Sequence, residues 1–339
     1  MTVEISHTDL KNFKYNLKIS NISNSDLKNF KYNRDDSSNK IPFNLFLSTS
    51  KQLKLSASHA WTLFVIFPLI VGEKFVNTLG YRNYIHFLDL IEILRLLSDD
   101  KYDEIKLNDL TNKIENYLNE FKRLYENVPI SAKMHFLVHY PRCIRMFGPP
   151  LSYSTMRWDS KHSYFKRVHH QNHNHINLPV SLAERHQECQ LFHLLSEKYF
   201  LDYEFGSEHK ISTTMKDLVS CMLGHNELKF FNFISYQRAN YTIDDIVVIK
   251  RKTQTDLPNF ALINTIIYDL RNKNFYLLIE ELTSVIYEKH RTGYIIKQKN
   301  DVMQKLITID KLAHFLSLNS YSVIYNSQEV KIVVPKYSI

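Results

Sequence analysis

The hydrophobic spacing of this chain changes once along its length, and that change limits what it can fold into. Over residues 56–205 apolar side chains recur at helical intervals. Ile85, Leu88, Ile91, Ile93, Leu94 and Leu97 fall mainly on one face, and Leu110, Ile114, Tyr117, Leu118, Phe121 and Leu124 repeat the pattern. From residue 228 onward β-branched and aromatic residues alternate with period two, in stretches 241–249, 260–267, 274–281, 294–297, 321–325 and 330–334. The expectation is an α+β fold, with a helical N-terminal two thirds followed by a small β-rich, barrel-like C-terminal domain.

The expected division is a poorly ordered tail over 1–40, a helical domain over 41–205, a linker over 206–227 and the β-rich domain over 228–339. The tail is polar, and Asp-Leu-Lys-Asn-Phe-Lys-Tyr-Asn stands in it twice, at 9–16 and 26–33. Two copies are too few for a solenoid, so a short tandem duplication is expected, with Phe30 and Tyr32 docking on the body. An apolar helix should begin near Ser58 and kink or end near Pro68, and Asn108 should cap the helix over 108–125. A helix over about 132–146 carries His135 and His139, meets Pro141, and ends at Gly148-Pro149-Pro150. Ser181 and Glu184 have capping-box spacing and should open a helix running to about 205.

Composition excludes several classes. The longest apolar run, 61–71, contains Pro68 and is well short of the ~20 residues of a membrane-spanning helix. Six scattered glycines form no phosphate-cradling loop. Three cysteines, Cys143, Cys189 and Cys221, make no disulfide framework and suit a reducing compartment, and the polar first forty residues lead to the expectation of an intracellular protein. The net charge of +8 and pI near 9.1 favour a polyanionic partner.

The basic charge concentrates over 131–170, which hold seven Lys or Arg, five His and one acid, Asp159. Lys133, Arg142, Arg145, Arg157, Lys161, Lys166 and Arg167 alternate with Tyr140, Trp158, Tyr164 and Phe165. Cations hold phosphates and aromatic faces stack on bases, so this mixture suits nucleic acid; a solvated basic helix face is the competing reading. His135 and His139 stand one helical turn apart, as two imidazoles sharing a metal do, or as two packed helix histidines do. His186, Cys189 and His193 also share a helix face, near His169, His170, His173 and His175, but lack the regular four-ligand spacing of a zinc site, and no metal site is assigned. Asp159 is either a counter-ion to Arg157 or Lys161, or a ligand for a divalent ion in phosphodiester chemistry, which requires further acids.

Four motifs, taken together, resemble the C-terminal part of DDE transposases of the CACTA (En/Spm-like) group, above all transposon-derived proteins of animal genomes. They are the His-x-x-x-His of His135 and His139, the turn Gly148-Pro149-Pro150, Met-Arg-Trp-Asp-Ser-Lys-His over 156–162, and Leu-Ala-Glu-Arg-His-Gln over 182–187. The similarity covers about residue 30 to the C-terminus. It implies an RNase H-like core interrupted by a helical insertion, and DNA cutting and joining with two Mg2+ ions. Asp159 falls where the family has a glutamate taken as the third catalytic acid, and His135, His139, His162 and His186 shape the surroundings. The shorter carboxylate puts metal binding by Asp159 in doubt. The resemblance places the first two acids upstream of Met1. The expected protein is therefore a truncated or domesticated remnant, without catalysis or a cofactor of its own unless those acids come from elsewhere. Its expected partners are nucleic acid, another copy or a full-length transposase, but no membrane, and its expected location is the nucleus. A different class stands beside this one: a DNA- or chromatin-binding module, or an oligomerisation protein, using no enzymatic ancestry.

Overall fold

A computed structural model gives the positions of residues 30–33, 40, 57–153, 156–172, 176–195, 203–236, 239–253, 256–298 and 304–338. The helices are α1 (Ala57–Val71), α2 (Tyr81–Leu97), α3 (Glu104–Leu124), α4 (Ala132–Leu137), α5 (Tyr140–Phe147), α6 (Met156–Asn172) and α7 (Leu178–Leu195), with α8 (Thr213–Leu223) entering after the first strand. The strands are β1 (Tyr203–Phe205), β2 (Leu228–Phe231), β3 (Phe233–Tyr236), β4 (Ala239–Thr242), β5 (Ile246–Lys250), β6 (Asn259–Asp269), β7 (Asn274–Glu288), β8 (Gly293–Gln298), β9 (Gln304–Ile307), β10 (Ser320–Tyr325) and β11 (Gln328–Val333). The α+β class read from the spacing is the observed one. No helix among the described residues is long and apolar enough to cross a membrane.

Helix α1 is apolar on nearly every face and is buried between two layers, as such a composition demands. Leu63, Phe64 and Phe67 join the core made with α2 and α3. Val65, Ile66 and Leu69 pack instead against Tyr321, Val323 and Ile332 of the sheet and Val334 just beyond it, where Phe30 and Tyr32 also dock. The side-chain amide of Asn33 fixes that segment by donating to the Ser320 carbonyl, 2.5 Å away. The helix continues past Pro68 to Val71. Burial on both sides outweighs the roughly 3 kcal/mol that an internal proline costs.

Helices α2 and α3 are joined by His86, whose ring stacks on Tyr117 at 4.3 Å while its Nε2–H donates to the Tyr117 carbonyl. The cap of α3 is Asp103, five residues before the expected Asn108, and its carboxylate accepts from the Lys106 amide at 2.7 Å. The single helix expected over 132–146 is two. Ser131 caps α4, Val138 and His139 form a turn, and Pro141 sits in the first turn of α5, where its missing N–H costs nothing. Both short helices turn Met134, Leu137, Tyr140 and Ile144 into the core with α2 and α3.

The expected strand over 241–249 is likewise two. Asp244 adopts a positive φ of 71°, and the Asp245 carboxylate accepts from the Thr242 amide, closing a turn between β4 and β5. One sheet has the order β1-β3-β4; the other runs β10-β11-β8-β7-β6-β2, with β5 on β6 and β9 on β7 off that path. Strands β6 and β7 are long and carry bulges, at 263–265 and 284–286, which bend them, and their buried side chains are shared among three clusters. The segment expected as a linker, 206–227, holds α8, whose Val219 is fully buried against Leu228, Phe230, Ile267 and Leu278. Ser212 caps its start, and Gly224 ends it in the left-handed conformation at φ 77°. The β-rich part therefore begins at β1.

The helical and β parts interlock. Tyr84 donates to the His290 carbonyl, and the buried Arg95 donates to the Thr292 carbonyl at 2.8 Å and to its hydroxyl at 2.9 Å. Gly72 allows the approach, since a Cβ there would lie 2.5 Å from the His290 carbonyl oxygen.

Candidate functional site

The residues singled out in the sequence sit on α4 to α7, and the structure separates them. On α4 and α5, Lys133, Arg142 and Arg145 are exposed. Arg145 is engaged with Glu104 at the start of α3, through Nη2 to Oε2 at 2.9 Å and Nε to Oε1 at 3.1 Å. That bond holds the Glu104 carboxyl below its usual range. Tyr140, read as a stacking aromatic, is buried in the bundle core, because the α4–α5 break turns it inward. Exposed Phe136 and Phe147 take that place on the surface, and sequence spacing did not distinguish them from core residues.

Helices α6 and α7 form a hairpin. Tyr164 and Phe165 lie half-buried against His186, at ring distances of 5.9 and 5.5 Å, so these aromatics hold the two helices together. His162 and Lys166 line a cleft of about 510 Å3 with Phe165, His169, Leu178 and Leu182. Lys166 and Arg167 are exposed. Among the described residues no salt bridge engages Arg142, Lys166 or Arg167. The side chains of Arg157, Trp158, Asp159, Lys161 and His193, and all of 173–175, lie outside the described residues; Asp159 is placed on α6 by its backbone alone. Helix α7 starts at Leu178, before the Ser181 of the expected capping box, and is described to Leu195; Phe205, at the expected end of that helix, belongs to β1, and 196–202 lie outside the described residues.

His135 and His139 are not packed core histidines. Both are exposed, with their Nε2 atoms 3.3 Å apart and their rings at 83°.

A second constellation escaped the sequence reading. Asp99 and Asp100, directly after α2, meet Arg251 at the end of β5 and His314 in the segment before β10. Asp99 is fully buried and pairs with Lys106 Nζ and, at 3.2 Å, with Arg251 Nη1, while Arg251 Nη2 reaches Asp100 at 2.6 Å. Burial opposes ionisation of Asp100, but its hydrogen bonds with Asp99 and Arg251 prevail and hold its pKa low. His314 is 2% exposed, stacked on Tyr337 at 3.3 Å, and its Nδ1 accepts from the Leu316 amide. Its Nε2 therefore carries the proton, 3.9 Å from Asp100 Oδ1. Burial, joined by the positive charges of Arg251, Lys101 and Lys106, lowers the His314 pKa to about 4 against the pull of Asp100.

Ligand atoms of Asp99, Asp100 and His314 lie within 4.8 Å of one another, a spacing that could hold a divalent ion. The local charges argue otherwise, since two carboxylates already face the two cations Arg251 and Lys106, and an ion would have to displace Arg251. The cluster reads as the clamp between the helical and β layers. The only prior signal was the pair of acids ending a helix, and their partners lie 151 and 152 residues away for Arg251. Compared with protein families, with curated proteins and with solved structures, this chain finds no match.

Proposed function

We propose that this protein binds nucleic acid through the surface of α4 to α7, as a transposase-derived chain that does not cut DNA alone. The observation that carries the reading is that Arg142, Lys166 and Arg167 are exposed with no salt bridge among the described residues, and that α4 and α5 also expose the rings of Phe136 and Phe147. Unneutralised cations are the groups that release counterions on binding phosphates, and exposed rings are the groups that stack on bases. The four transposase-like motifs all fall on this part of the chain, which supports the ancestry. Asp159 is the relic of the third acid in this reading, and Mg2+ would act only with acids supplied from elsewhere. The bulged sheets are read as a barrel-like module that holds the helical surface, and the nucleus as the location.

Fluorescence anisotropy with a labelled DNA duplex across a salt series tests the proposal. Binding should weaken with salt, and replacing Arg142, Lys166 and Arg167 with Ala should reduce the log–log slope by about 2.7 for three lost phosphate contacts. No binding at low salt removes the DNA reading. Strand transfer by the purified chain with Mg2+ removes the claim that it cannot cut alone. A second reading, association of two copies, is favoured by exposed Leu191, Leu194 and Leu195 on α7. Light scattering separates it, because a monomer at all concentrations excludes it.

A further inference from the structure

We infer that His135 and His139 form a two-histidine site for a transition metal ion of the zinc, nickel or copper class. Zinc binds imidazole nitrogen at about 2.0–2.1 Å, and at a tetrahedral angle two such nitrogens lie about 3.3–3.4 Å apart. The Nε2 atoms of His135 and His139 are 3.3 Å apart. The two rings thus present the bite of a chelate, and each binds an ion through Nε2 as the neutral tautomer that keeps its proton on Nδ1, so a proton lying between the two Nε2 atoms moves to the Nδ1 of its own ring.

The backbone holds this spacing independently of any ion. His135 sits on α4, whose start is fixed by the Ser131 cap and by the His135 amide donating to the Ser131 carbonyl at 3.0 Å. His139 lies in the turn that follows, with its amide on the Phe136 carbonyl and its own carbonyl accepting from the Cys143 amide, each at 3.0 Å. The buried Met134, Leu137 and Tyr140 anchor the same turn from below. Both imidazoles are exposed, so an ion reaches them directly and keeps its remaining positions for water or an outside ligand. Exposed Lys133 and Arg142 flank the pair in sequence, and their charge opposes the approach of a cation. Imidazole ligation without a carboxylate or thiolate selects zinc, nickel or copper over magnesium or calcium.

The test is isothermal titration of the full chain with zinc at pH 7.5, alongside His135→Ala, His139→Ala and, as a control for the other histidines, His162→Ala. Loss of either ligand breaks the chelate, so each of the first two variants should weaken this binding event on the order of 100-fold while the control leaves it unchanged. Zinc should also raise the melting temperature of the parent chain more than that of His139→Ala, because the folded turn holds the two imidazoles together and the unfolded chain does not. His135→Cys supplies a replacement ligand and should restore metal binding, with a thiolate-to-cobalt absorption above the parent background when cobalt is the probe. That signature reports on the site even if the alanine variants fold poorly. A zinc isotherm unchanged by either alanine substitution, or cysteine without a new cobalt band, overturns the site.

Discussion

Helices α2 and α6 are both 17 residues long, and they do opposite work. Eleven side chains of α2 are buried, among them Arg95 and His86, and the helix ends on the Asp99–Asp100 clamp to the β layer. No described side chain of α6 is buried. Tyr164 and Phe165 join it to α7, and Lys166 and Arg167 face solvent. Charge follows the same division: residues 57–130 carry eight Lys or Arg against eleven acids, while 131–170 carry seven against one. Length and helical periodicity say that a helix exists, whereas the apolar share of its surface says whether it is a beam of the core or a carrier of surface chemistry.

The largest effect should come where the beam meets the sheet. Asp99→Ala leaves Lys106 and Arg251 facing each other without their buried counter-ion, and denaturant unfolding should show a loss of about 3–5 kcal/mol. A loss below 1 kcal/mol would mean that the two layers do not depend on this clamp. Acid should act on the same junction. The pKa of His314 is lowered to about 4, so between about pH 6.5 and 4 the unfolded chain takes up a proton that the folded chain refuses. Stability is therefore full above pH 6.5 and falls by about 2–3 kcal/mol as the pH drops to 4. The lowered pKa of Asp100 extends the loss further into acid. Thermal melts across pH should show this slope in the parent chain and a flatter one in His314→Phe, and equal slopes would reject the assignment.

At the border between the two regions, Ser131→Ala removes the cap of α4, where the hydroxyl accepts from the Met134 amide at 3.3 Å. A cost of about 1 kcal/mol is expected by chemical denaturation, with the fold intact. The smallest effect belongs to α6. Lys166→Ala and Arg167→Ala should each change stability by no more than about 0.5 kcal/mol while weakening DNA binding. If either unfolds the chain, the hairpin belongs to the core and the contrast between α2 and α6 fails.

Local pattern made much of this readable. The α2 helix over 82–97, the alternation in β6, β8, β10 and β11, and the docking of Phe30 and Tyr32 are all properties of neighbouring residues or of simple hydrophobicity. The errors share a cause. Asn108 loses the cap to Asp103, the helix over 132–146 breaks at Val138–His139, and α8 forms inside 206–227, because caps and breaks are decided by small energies that packing outweighs. At the candidate site the cation positions were visible from the sequence. That Arg145 is engaged with Glu104, and that Tyr140 faces inward, required the neighbouring helices to be in place.

The sequence by itself determined the α+β class, a mainly helical part followed by a β-rich part, and the concentration of positive charge over 131–170. Those follow from periodicity and composition, which act over a few residues. Only the tertiary structure decided that α1 is shared by two layers, that Asp99 and Asp100 meet Arg251 and His314, and that His135 and His139 stand exposed with their Nε2 atoms 3.3 Å apart. Such contacts join residues far apart along the chain or depend on a turn between two helices, and their energies exist only once the intervening chain has been folded into place.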